Sequence, residues 1–113
     1  MALYTGSAEK AATVIDDETR DRGLAAWGSW MAKNKASIID AGGPLGSTKK
    51  ASAEGIADTR NNVAGYVIVR AESHDAAVRM FADHPHFTIF PGDSVEVMEC
   101  LPIPGQSEQS FSS

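Results

Sequence analysis

The stretch "VAGYVIVRAESHDAAVRMFADHP", Val63 to Pro85, decides the fold. Its first part gathers β-branched Val63, Val67, Ile68 and Val69 between polar flanks, which favours a strand. Ser73 then stands where an N-cap belongs. Ala76, Ala77, Met80 and Phe81 line one side of a short helix, and Pro85, whose ring forbids its continuation, ends it. Downstream, Ser94 to Leu101 alternates as a last strand. Upstream, "STKKASAEGIADTRNN" (Ser47–Asn62) reads as an edge strand followed by a loop. Before it, "ASIIDAGGPLG" (Ala36–Gly46) gives a strand over Ser37 to Ala41, ended by a Gly-Gly-Pro turn. Ala8 to Lys35 is rich in helix formers, with Asp16 and Asp17 as candidate caps and Leu24, Trp27 and Met31 on one face. Gly23 and Gly28 in that span suit close approach of another backbone; the alternative is a break near Gly23. Met1 to Thr5 is a short first strand.

The order strand, helix, strand, strand, helix, strand predicts a ferredoxin-like βαββαβ arrangement of the α+β class, with both helices on one face of a four-stranded antiparallel sheet. The other face is then bare, and a second copy of the chain is its simplest cover, so a homodimer is expected. One domain spans residues 1–104. Residues 105–113 form a polar tail expected to be poorly ordered.

With 113 residues and a mass of 12.0 kDa, the chain has room for one modest core, since a domain of this size buries roughly two thirds of its unfolded surface. Apolar content of 42% with 22% charged residues excludes a fully disordered chain. A net charge of -5 and a pI near 5.0 argue against nucleic acid, whose phosphates need clustered Lys and Arg; Lys49-Lys50 is too short a patch. The single cysteine, Cys100, excludes an intrachain disulfide and a cysteine-rich metal site, and fits a reduced compartment. No long apolar run marks a spanning helix or a signal peptide, so no membrane is expected and the cytoplasm is the expected setting.

Three blocks, "AAWGSWMAKNKASIIDAGGPLG", "GYVIVRAESHDAAVRMF" and "PHFTIFPGDSVEVMECLPIP", resemble in order and spacing the YCII-related (DGPF-type) small proteins, across Leu24 to Pro104. The resemblance implies a dimeric α+β barrel built from ferredoxin-like protomers. Some relatives of that kind are enzymes acting on small ring compounds through a histidine on the first helix and an aspartate. This sequence has Ala25 and Ala26 in that region, no histidine before His74, and "EGIAD" where the Asp-Gly-Pro-Phe element would stand.

Period-two alternation puts Tyr66, Ile68 and Arg70 on one side of their strand and Val67, Val69 and Ala71 on the other. On the last strand Val95 and Val97 share a side, opposite Glu96, Met98 and Cys100. With the valines toward the helices, Tyr66, Glu96 and Met98 point away from them. A carboxylate in a partly apolar cleft is poised as an acid or base, which makes Glu96 and Asp40 candidates; the favoured reading of both is structural, with bonds to backbone or tyrosine that fix an interface. His84 and His86 can reach one ion with Asp83, Asp93 or Glu96, yet their spacing matches no metal motif. The expectation is a solvent-touching loop that caps the second helix, with no metal and no cofactor. His86 is the histidine whose place the family resemblance supports, and the turn "FTIFPGD" is long enough to hang it over Glu96 and Tyr66. Trp27 reads as core, Trp30 as the rim of a cleft, with Met98 as a further ligand contact, and Cys100 as a buried inert thiol. Two functions follow: a dimeric protein holding a small apolar or aromatic acid between sheet and helices, or a cofactor-independent lyase or isomerase acting on a small cyclic metabolite, with Glu96 or Asp40 as base and His86 or Tyr66 as acid. Convergence of a carboxylate and a proton donor in one pocket separates them.

Overall fold

The β-branched run does form the central strand, and the rest of the chain is arranged around it. The computed structural model describes residues 1–105; the expected tail beyond Gly105 lies outside them. In chain order the elements are β1 (Ala2–Thr5), α1 (Ala8–Ala11), α2 (Asp17–Lys33), β2 (Ile38–Pro44), β3 (Thr48–Ser52), β4 (Gly55–Thr59), β5 (Val63–Val69), α3 (His74–Arg79), α4 (Pro85–Thr88) and β6 (Ser94–Val97). The architecture is α+β. A four-stranded sheet runs in the order β2-β5-β1-β6 with every neighbouring pair antiparallel.

One face of this sheet carries the core. Ala2 and Tyr4 of β1, Val67 and Val69 of β5, and Ala77 and Phe81 at α3 are buried together, with Trp27, Trp30, Ile38, Met80, Val95 and Val97 packed against them. The expected sidedness of the valines therefore holds, and α2, α3 and α4 cover that face.

Four elements differ from expectation. The first helical span divides in two, because the Thr13-Val14-Ile15 run disfavours helix and Asp16 caps a new start by accepting from the Thr19 N–H at 2.7 Å; Gly23 lies inside α2, not at a break. Leu24 is 57% exposed, and the face α2 turns inward is that of Gly23, Trp27 and Trp30. The strand β2 does not stop at its glycines: it runs through them as an irregularity, with Gly42 at φ 63 and so close to the Tyr66 carbonyl that a Cβ would overlap it. Finally, the polar segment before β5 is neither an edge strand of the sheet nor a loop. It is a separate ribbon, β3 paired with β4, turned at Gly55 (φ 111) and joined across by Lys49 and Asp58 at 2.5 Å. The last strand is also shorter than read, ending at Val97, although Met98 N–H still reaches the Met1 carbonyl at 2.8 Å.

Candidate binding site

The sequence His84-Pro85-His86 builds a short capped helix. A residue before proline is pushed to extended backbone, and His84 adopts φ -64, ψ 139. Pro85 opens α4, where its missing N–H costs nothing. His84 caps that opening with its own ring: Nδ1 accepts from the His86 backbone N–H at 3.0 Å. The imidazole is completely buried, enclosed by Trp27 (centroids 4.4 Å), Trp30 (4.8 Å), Tyr4 (5.0 Å) and Phe81 (5.8 Å). With Nδ1 accepting, the neutral ring carries its proton on Nε2, which faces the Tyr4 hydroxyl at 3.4 Å. Burial, with a smaller contribution from the neighbouring His86, pushes His84 down from 6.5 to about 4. Burial likewise pushes the Tyr4 phenol up to about 12. His84 is thus a neutral structural imidazole at ordinary pH.

His86 is held differently. Its Nε2 lies 2.7 Å from the Thr5 carbonyl oxygen, and a carbonyl only accepts, so Nε2 carries the proton and Nδ1 presents a lone pair. Nδ1 has no hydrogen-bond partner among the described residues, and none of their fully buried side-chain polar atoms is left unpaired. It therefore opens into free space. The ring is fixed from behind by Gly92, where any Cβ would overlap the imidazole and the His86 carbonyl, and by Trp27 and Tyr4 at centroid distances of 6.2 and 5.3 Å.

The His86 ring borders a cavity of about 220 Å³ between the sheet and α2, lined also by Tyr4, Trp27, Pro44, Gly65 and Tyr66. Gly65, lacking a side chain opposite Tyr4 in the β1–β5 register, leaves room for it. On its other side His86 borders a second hollow of about 170 Å³ with Gly6, Lys10, Phe90, Pro91 and Gly92. Lys10 is held there by Asp93 at 3.2 Å, and the Ser7 N–H at 2.7 Å, followed by the Lys10 ammonium, keeps the Asp93 carboxyl below its ordinary range.

The residues singled out from sequence do not all meet here. Tyr66 borders the cavity with His86. Glu96 does not: it stands opposite Leu3 across β1–β6, while its neighbours Val95 and Val97 pack toward the core. It is exposed on the far face of the sheet from His86, and Tyr66 is two strands away, about 10 Å at ordinary strand spacing. Asp40 is exposed on the outer strand β2 and accepts from the Gly42 N–H at 2.9 Å. Trp30 donates its indole N–H to the Met80 carbonyl at 2.8 Å and borders a different hollow, with Lys33 and Arg79. Met98 is 41% exposed at the end of β6. The histidine loop is buried rather than solvent-touching, and it forms α4 instead of capping α3. No group of three His, Cys, Asp or Glu side chains among the described residues is arranged to hold a metal. Cys100 is half-buried rather than buried, and its sulfur accepts from the chain's terminal ammonium at 3.4 Å.

Sequence reading missed Tyr4 and Gly92 as parts of the site, and took His84 only for a possible metal ligand in a solvent-touching loop. The available signal was the pair of histidines around Pro85, followed by Phe90-Pro91-Gly92. No protein-family model, curated protein or solved structure matches the chain, and no helix of the described residues is long and apolar enough to cross a membrane.

Proposed function

We propose that the chain is a binding protein of the YCII-related, ferredoxin-like kind, which takes a small apolar or aromatic acid into the cavity beside His86. The observation that carries the reading is the His86 ring, which borders a hollow shared with Tyr4, Trp27, Pro44 and Tyr66 and whose Nδ1 has no partner among the described residues. Apolar and aromatic walls with a few placed polar groups are the usual construction of a small-ligand site. A planar body fits against Trp27, and its acid group shares a proton with Nδ1. The alternative, a lyase or isomerase, needs a carboxylate in the same cavity, and Glu96 and Asp40 lie outside it. The strand order β2-β5-β1-β6 supports the ferredoxin-like reading, because removal of the β3–β4 ribbon leaves two interleaved strand-helix-strand units.

Calorimetric titration with benzoate tests the reading. Wild-type protein binds it, and His86→Gln weakens binding about tenfold or more, as expected for loss of one charge-assisted hydrogen bond. Equal binding by both proteins, or none by the wild type, overturns it.

A further inference from the structure

The cavity beside His86 is one end of a longer run of space. The hollow on the other side of His86 shares Ala64 with it, and shares Gly6, Ala11 and Ala64 with a third hollow of about 450 Å³. That third hollow lies where the chain leaves the sheet for the β3–β4 ribbon, and Arg60, Asn61 and Asn62 border it. Arg60 makes no ion pair with any described residue.

The charge along this run that is left without an ion pair is that of Arg60. The chain is acidic, with 15 Asp and Glu against 10 Lys and Arg, yet no described Asp or Glu borders any of the three hollows, whereas Arg60 and His86 do, as does Lys10, whose charge is paired with Asp93 at 3.2 Å. An unpaired guanidinium in a concave, carboxylate-free surface is suited to a bidentate acid group. Between Arg60 and His86 the walls are small and apolar at Gly6, Ala11 and Ala64, which leaves room for an alkyl chain.

We infer that the natural ligand is an elongated diacid: an aromatic or apolar head whose acid group meets His86, and a chain passing over Ala64 that brings a second acid group to Arg60. The inference rests on the binding function proposed above and names the ligand class of that same site. It also gives the β3–β4 ribbon a task, since the ribbon's base fixes the position of Arg60.

A series of 2-(ω-carboxyalkyl)benzoates of increasing chain length tests it beside benzoate itself, with calorimetry on wild type and Arg60→Gln and with circular dichroism to verify folding. Affinity is expected to rise about tenfold over benzoate once the chain spans the run. Arg60→Gln abolishes that rise and leaves benzoate binding as it was, because benzoate does not extend to Arg60. No gain at any length, or a gain that persists in Arg60→Gln, overturns the diacid inference while benzoate binding upholds the His86 site. Failure of benzoate to bind overturns both.

Discussion

His84 and His86 are two residues apart in sequence and opposite in character. His84 is enclosed by rings from β1, α2 and α3, and its neutral form is fixed by the bonds at both nitrogens. A buried histidine of depressed pKa binds its proton more readily in the unfolded chain. Stability is therefore full above the ordinary value of 6.5 and is lost as pH falls toward about 4, a total of about 3 kcal/mol. NMR titration of the His84 ring and urea unfolding across that window verify this; a ring that titrates at the ordinary value contradicts it. Gly92→Ala is expected to cost about 1–3 kcal/mol by overpacking and to displace His86, so benzoate affinity falls along with the unfolding midpoint. None of this was legible in the local sequence. Two histidines beside a proline read as an exposed loop because burial is imposed by Tyr4, Trp27 and Trp30, which the fold brings from elsewhere.

At the scale of elements, the strands around β5 and the Ser73 cap were readable, because β-branching and capping act within a few residues. The Ser73 hydroxyl does accept from the Ala76 N–H at 3.0 Å. Where a glycine belongs was not readable, since it depends on what lies across from it. Gly28 has nothing within 4 Å of an added Cβ, whereas one at Gly23 meets the Phe90 ring at 2.5 Å. Gly28→Ala is thus expected to stabilise α2 by up to about 1 kcal/mol. Gly23→Ala gains the same propensity but must displace Phe90, and is expected to lower the melting temperature. Thermal unfolding of the two variants decides it; equal shifts would remove the Gly23–Phe90 contact from the account. The irregular β2 was missed for a related reason: Gly-Gly-Pro signals a turn in isolation, but pairing with Tyr66 carries the strand through it.

For the whole molecule, the sheet and one layer of helices make a slab whose smallest extent is 18 Å. The face opposite the helices presents Leu3 and Ile68, half-buried, with Ile39 and Met98 exposed at 37% and 41%. We propose that a second copy covers it, and light scattering is expected to report twice 12.0 kDa at micromolar concentration; a monomer mass contradicts this. Glu96 then belongs to that interface rather than to the site, and Glu96→Gln leaves benzoate affinity unchanged. The site claim itself meets its most direct test in the long-range ¹⁵N spectrum of the His86 ring. A proton on Nε2 and a bare Nδ1 are expected in the free protein, and benzoate is expected to move Nδ1 to its protonated, hydrogen-bonded position. A proton on Nδ1 in the free protein, or an Nδ1 signal that benzoate leaves in place, would contradict it.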